Sequence, residues 1–234
     1  MYKIVSKKSL AHKETLFEVE APDIAAKAKA GQFVIVVPHE KGERVPLTIS
    51  DYDANKGTIS FAFHEVGKTT KQMGCLNEGD CLLNVTGPLG NPSEVKKFGK
   101  VLCVGGSIMI APTLLQIKAM KEAGNHVTTV LGCRSKDFLF MEDEAKALSD
   151  KVYVASDDGS IGYKGLDFLK DLLKTEKFDH CVVLGPVVMM RDVSEITKPY
   201  GIPTIVTVTP IMMDGMGMCG VCRVKVAGEM KFRW

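Results

Sequence analysis

The chain has 234 residues, with 30 Lys and Arg against 28 Asp and Glu, a net charge of +2 and 45% hydrophobic residues. That balance argues against the basic surface a nucleic-acid partner requires, and no run approaches the roughly 20 apolar residues that span a bilayer. The length suits two domains with separate cores, and seven cysteines without framework spacing, behind a start (MYKIVSKKSL) that lacks a secretory signal, point to reduced thiols in a cytoplasmic protein.

Residues 1–98 read as short strands set apart by Gly and Pro turns: YKIVSKKSL, LFEVEA, FVIVVP, LTISDYD, TISFAFHEV and DCLLNVTGPLG. Alternating, β-branched runs at such spacing predict an antiparallel barrel or sandwich. At Lys100 the texture changes. VLCVGGS is an apolar strand ending in glycines, and APTLLQIKAMKEAG is a helix closed by Gly124. HVTTVLGCRS, KVYVAS, HCVVLGP and IPTIVTVTP continue the strands, with helices predicted in FMEDEAKALSD, KGLDFLKDLLKTE and VVMMRDVSEITKPYG. Five strands alternating with helices make residues 99–209 an α/β doubly wound parallel-sheet domain, with ligands expected at the carboxyl ends of its strands. Residues 210–234 form a short glycine- and methionine-rich segment holding Cys219 and Cys222.

Several stretches carry chemistry, each beside a plainer reading. Arg44 precedes the strand Val45-Pro46-Leu47-Thr48-Ile49-Ser50; a guanidinium there suits a pyrophosphate and the strand suits a flat ring, while the same residues also describe a solvated charge beside an edge strand. Gly67-Lys68-Thr69-Thr70 can offer N–H groups and hydroxyls to phosphate at a helix start, or be an ordinary capped helix. Gly105-Gly106-Ser107-Ile108-Met109-Ile110-Ala111-Pro112 joins a strand to a helix, as in nucleotide-binding domains, though it is not GxGxxG. Asp157 and Asp158, in SDDGSIGYKG after a strand, suit ribose hydroxyls or a polar turn. Gly185-Pro186 follows another strand, and its Met189-Met190 pair reads first as helix core. Cys219-x-x-Cys222, five residues after Asp214, suits a metal cluster whose sulfurs accept N–H bonds from a glycine loop, redox thiols, or half a zinc site.

In this order RVPLTIS, GKTT, GGSIMIAP, LGCRSKD, DDGSIGYKG, GPVVMM and DGMGMCGVCRV resemble the ferredoxin–NADP reductase superfamily over nearly the whole chain. More narrowly, the sequence is similar to the group that holds the dihydroorotate dehydrogenase electron-transfer subunit and the small subunit of the electron-bifurcating NADH-dependent reduced ferredoxin:NADP oxidoreductase, also called sulfide dehydrogenase. The first relative usually presents four cysteines to its [2Fe-2S] cluster; the second has an aspartate in first place, where Asp214 stands here.

The resemblance implies that Arg44, Pro46, Leu47, Thr48 and Ser50 line FAD, with Gly67, Lys68 and Thr69 on its pyrophosphate. Gly105, Gly106, Ala111, Pro112, Asp157, Asp158, Gly185 and Pro186 would receive NAD(H), and Asp214, Cys219 and Cys222 would bind a [2Fe-2S] cluster. No side chain is assigned catalysis, since the flavin carries the chemistry. Arg134 and Lys136 beside Asp137 are read as favouring NADH, though two basic groups also suit a 2′-phosphate. The partner implied is a larger subunit with further flavin and iron–sulfur centres, and ferredoxin is reached through it. The alternatives are the dihydroorotate dehydrogenase electron-transfer subunit and a redox-inactive nucleotide-binding module with a zinc half-site. The glycine turn departs from the family's richer GGGxGxAP at Ser107, Ile108 and Met109. The last cluster cysteine is expected about a dozen residues after Cys222, where Trp234 stands. Tryptophan does not ligate iron, so the expectation is a chain cut or altered at its end, the alternative a three-ligand site.

Overall fold

The computed structural model describes residues 1–226 and 229–232, with only the backbone for residues 226 and 229–232. Trp234 lies outside the described residues. Contacts divide the chain into two compact units: Met1–Ser9 with Lys13–Ser93 and the segment from Val208 onward, and Leu10–His12 with Glu94–Thr207.

The first unit holds β1 (Tyr2–Ala11) except its last two residues, β2 (Glu14–Glu20), a short α1 (Pro22–Ala25), β3 (Phe33–Val37), β4 (Val45–Asp53), β5 (Thr58–His64), α2 (Lys68–Gly74), β6 (Cys81–Leu82) and β7 (Asn84–Leu89). Its seven-stranded sheet has the order β6-β1-β2-β5-β4-β3-β7. DCLLNVTGPLG reads as one strand in the sequence, but Leu83 divides it into two that lie on opposite edges of this sheet. One residue can join opposite edges only if the sheet curls until they are neighbours, and that makes the antiparallel half-barrel. Inward residues fill it: Phe17 on β2 stands opposite Phe61 on β5, and both are fully buried. Phe17 also meets Phe63 edge-on, with ring centroids 4.9 Å apart.

The second unit holds β8 (Lys100–Gly106), α3 (Ile110–Glu122), β9 (His126–Cys133), α4 (Glu142–Leu148), β10 (Lys151–Ser156), β11 (Tyr163–Lys164), α5 (Phe168–Thr175), β12 (His180–Leu184), α6 (Val187–Thr197) and β13 (Thr204–Thr207). All its described pairings are parallel, in the order β11-β10-β9-β8-β12-β13. Five of the six strands are the apolar runs seen in the sequence. The sixth, β11, is two residues long and pairs with β10 through Ala155 and Ser156, which is too short to leave a period. A core of Val101, Cys103, Ile117, Met120, Val127, Val182 and Leu184 packs α3 onto β8, β9 and β12. The tail ends in a hairpin of β14 (Arg223–Val226) and β15 (Glu229–Phe232). No helix among the described residues is long and apolar enough to cross a membrane.

One buried group makes the second unit sensitive to acid. His180 opens β12 at 3% exposure, stacked on Phe98 with ring centroids 4.0 Å apart, and its Nε2 has no hydrogen-bond partner among the described residues. Burial is the main cause that holds it below the ordinary histidine value; Lys96 adds to the depression and Glu94 opposes it. The unfolded chain therefore binds the proton more readily than the folded one. Stability is fully present above the unfolded value of about 6.5 and is lost as pH falls below it toward the folded value. The urea midpoint should drop between about pH 7 and pH 5, and His180→Phe should flatten that drop.

Candidate functional site

In the first unit the candidate residues lie on β4 and at the start of α2. Arg44 and Pro46 are exposed, Leu47 and Thr48 half-buried, and Ser50 buried. The Ser50 hydroxyl is enclosed, without a hydrogen-bond partner among the described residues. An unpaired buried hydroxyl costs about 1–3 kcal/mol. Beside Ser50 the β4–β5 register slips between Ile49 and Asp51, a bulge of the kind that re-aims side chains near functional sites.

Gly67 starts α2, its N–H donating to Thr70 Oγ1 at 3.1 Å, and a side chain at Gly67 would meet nothing nearer than that oxygen at 3.8 Å. The approach is open. Lys68 is exposed; Thr69 is buried and its hydroxyl donates to Glu43 Oε2 at 3.1 Å, while the Glu43 N–H reaches back to Thr69 Oγ1 at 3.4 Å. These bonds fasten the loop that carries Arg44 to the helix start, so two motifs some twenty residues apart come to one place. Glu43 was not singled out in the sequence, where its only signal is a carboxylate next to Arg44.

The tail belongs to the same unit. Asp214 accepts N–H bonds from Met216 (2.9 Å) and Gly217 (3.2 Å) on Oδ1 and from Cys219 (2.7 Å) on Oδ2. These donors, Met216 first, hold its carboxyl below the usual carboxylate range. Cys219 is exposed and Cys222 buried. Among the described residues no three His, Cys, Asp or Glu side chains gather closely enough for a metal ion. In kind the donors fit a cluster: two thiols three residues apart, in a glycine loop that turns Asp214 toward Cys219. Other thiols fit less well. Burial pushes Cys103 up to about 12, and burial with the nearby Asp157 and Asp158 pushes Cys133 up to about 11, so neither is a thiolate at neutral pH.

In the second unit β8 lies between β9 and β12, so the sequential order of the strands reverses between β8 and β12, where open α/β sheets bind ligands. Gly105 and Gly106 end β8, and Gly185-Pro186 follows β12. The four residues meet at this crevice: a side chain at Gly185 would lie 3.5 Å from the Gly106 nitrogen. Their smallness has a cause the sequence does not display. A Cβ at Gly105 would press on Thr113 of α3, at 2.6 Å from Oγ1 and 2.9 Å from Cβ. A Cβ at Gly106 would overlap Met189 Sδ, and Gly132 and Gly185 face the same side chain at 3.2 and 2.9 Å. Met189 thus lies over the carboxyl ends of three strands, whereas Met190 is core at 3% exposure. Ala111 and Pro112 are buried in the first turn of α3, which suits Pro112 because a helix start needs no N–H there.

The two glycines should differ in tolerance. Thr113 is pinned by its own bond to the Met109 carbonyl at 2.7 Å, while Met189 is flexible. Gly105→Ala is expected to cost about 1–3 kcal/mol and Gly106→Ala less than about 1 kcal/mol, read from urea midpoints.

Asp157 and Asp158 stand at the end of β10, two strands from β8. Asp157 is exposed. Asp158 Oδ1 accepts the Ser160 N–H at 2.9 Å, and the Ser160 hydroxyl leads the groups that depress its carboxyl, so this carboxylate already closes a turn. Arg134 lies over the Phe138 ring, 5.8 Å from its centroid.

Compared with models of known families, the chain matches none. It is 46% identical over 231 residues to the dihydroorotate dehydrogenase B (NAD(+)) electron transfer subunit homolog of Thermotoga maritima, across 98% of this chain and 82% of that protein. A chain in the structure of the NADH-dependent reduced ferredoxin-NADP oxidoreductase, solved for insight into flavin-based electron bifurcation, superposes with a TM-score of 0.93 at 45% identity, over 99% of this chain and 84% of that one. Phthalate dioxygenase reductase shares the fold, with a TM-score of 0.69 at 20% identity over 88% of this chain and 67% of that one. The chain therefore belongs to the family of the dihydroorotate dehydrogenase B electron-transfer subunit, built on the ferredoxin–NADP reductase fold.

Proposed function

We propose that the protein is the FAD-dependent electron-transfer subunit of a cytoplasmic oxidoreductase complex, passing electrons in either direction between NAD(H) and, through a [2Fe-2S] cluster, a larger partner subunit that carries further flavin and iron–sulfur centres, and through it to or from ferredoxin. Residues 1–98 bind FAD, residues 99–209 bind NAD(H), and residues 210–234 carry Asp214, Cys219 and Cys222, three of the ligands of a [2Fe-2S] cluster. FAD held there would supply hydride exchange with the nicotinamide and single-electron transfer. The chain binds, orients and screens. Arg44 neutralises pyrophosphate, aided by the open approach at Gly67, Lys68 and Thr69, and β4, through Pro46, Leu47, Thr48 and Ser50, carries the ring. Gly105, Gly106, Gly185 and Pro186, with Ala111 and Pro112 starting α3, leave the switch-point crevice for the dinucleotide, and Asp157 and Asp158 take ribose hydroxyls. Asp214, Cys219 and Cys222 would ligate iron, with glycine N–H groups to bond the cluster sulfurs.

The observation that carries this reading is the bond between Glu43 and Thr69, which brings Arg44 and the α2 start together on the antiparallel unit. Flavin released by acid from the purified protein should have the mass of FAD, and Arg44→Ala should weaken FAD retention about tenfold or more. Bound zinc without flavin would overturn the reading in favour of a nucleotide-binding module. A second reading, the electron-transfer subunit of dihydroorotate dehydrogenase, has the names of relatives in its favour. Asp214 in the first ligand place favours the iron–sulfur partner, and a pull-down that returns a flavoprotein barrel subunit instead would decide for the second reading.

A further inference from the structure

Gly215 is buried and left-handed at φ 72°. A Cβ there would stand 2.6 Å from Ile35 Cδ1, 3.1 Å from Leu89 Cδ1 and 3.4 Å from Phe33 Cε2. The tail backbone is therefore pressed against β3 and β7 at this one residue, closer than any side chain allows. Ile35 and Phe33 are the register partners of Pro46 and Thr48 on β4, and Leu89 is the partner of Phe33. Next to this contact Arg44 Nε donates to the Met213 carbonyl at 3.4 Å, and Asp214 closes the loop onto the Cys219 N–H. The chain from Met213 to Cys219 is thus held one strand away from the strand assigned to the flavin ring.

We propose that Gly215 is a positioning residue: it seats the loop bearing Asp214, Cys219 and Cys222 on the barrel and so fixes where that loop stands relative to the flavin strand. The inference rests on the function proposed above. Two features make glycine necessary. Its left-handed backbone strains any L side chain, and a methyl group there would have to displace the buried Ile35 Cδ1 and crowd Leu89.

The test compares wild type, Gly215→Ala and Gly215→Ala with Ile35→Val, whose second change removes the Cδ1 atom in the way. The readouts are alkylation of the buried Cys222 by iodoacetamide in the iron-stripped protein and, in the intact protein, the FAD content and its bleaching by NADH. Gly215→Ala should raise Cys222 alkylation at least about tenfold, and Ile35→Val should recover part of the protection. Alkylation at the wild-type rate in Gly215→Ala would overturn the proposal. If Gly215→Ala does not fold, Leu89→Ala decides: alkylation faster by about twofold or more supports the seat, and the wild-type rate overturns it. The function proposed above fails separately, if the wild-type protein holds no flavin that NADH reduces.

Discussion

Replacing Gly162 with alanine is expected to cost roughly 3 kcal/mol or more of stability and to raise the Kd for NADH at least tenfold. Gly162 is left-handed at φ 62°, and a Cβ there would run into the Val154 carbonyl, overlapping its oxygen and standing 2.6 Å from its carbon. That carbonyl cannot retreat easily: Val154 is paired with Leu131 inside the β10–β9 ladder. The obstacle is backbone, so no rotamer change relieves it. The same turn is held by Ser156, whose hydroxyl donates to the Ile161 carbonyl at 2.7 Å and accepts the Ile161 N–H at 3.1 Å, and it carries Asp157 and Asp158. Moving Gly162 therefore moves both carboxylates assigned to ribose. Gly165→Ala is the matched control. It is left-handed at φ 65° with nothing within 4 Å of the added carbon, so it should cost only about 1–2 kcal/mol, the backbone strain alone. Urea unfolding and NADH titration of flavin absorbance check both; equal costs at the two positions would refute the role given to the Val154 carbonyl.

The second large effect concerns the tail. Cys219→Ala should bring iron and acid-labile sulfide below about a tenth of wild type while FAD is retained. Asp214 grips the Cys219 backbone N–H at 2.7 Å, which alanine keeps, so the loop gives up only the thiol's own bond to Asp214. The loss then reports the sulfur and not a collapsed loop. Cys222→Ala is less clean, since Cys222 is buried and its removal also loses packing. Wild-type iron content in Cys219→Ala would remove Cys219 from the ligand set.

Much of this was legible in the sequence, for reasons that differ by element. The parallel unit shows itself because β8 and β12 are buried on both faces and read as unbroken apolar runs ending at a glycine, Val101–Gly106 and Cys181–Gly185. The half-barrel shows its strands but hides its closure, because the step from one edge to the other is taken by Leu83 alone. β11 is hidden for a like reason: Tyr163 and Lys164 form two residues of ladder with no period to detect.

The site residues divide similarly. Glycines at strand ends announce close approaches, yet not what approaches. Gly105 makes room for Thr113 within the fold, and Gly106, Gly132 and Gly185 make room for Met189, which reads in the sequence as half of an apolar helix pair. Asp157-Asp158 reads as two equivalent carboxylates, and folding ties one oxygen of Asp158 into the turn through Ser160. Such divisions depend on contacts between residues distant in sequence, to which neither spacing nor composition is sensitive. The Glu43–Thr69 bond, 26 residues apart, is another.

The most direct measurement is the visible absorption spectrum of the protein purified without oxygen, before and after adding NADH. Flavin bands beneath a broad iron–sulfur shoulder, both bleached by NADH, are the expected result; a colourless protein, or flavin bands that NADH leaves unchanged, would contradict the account.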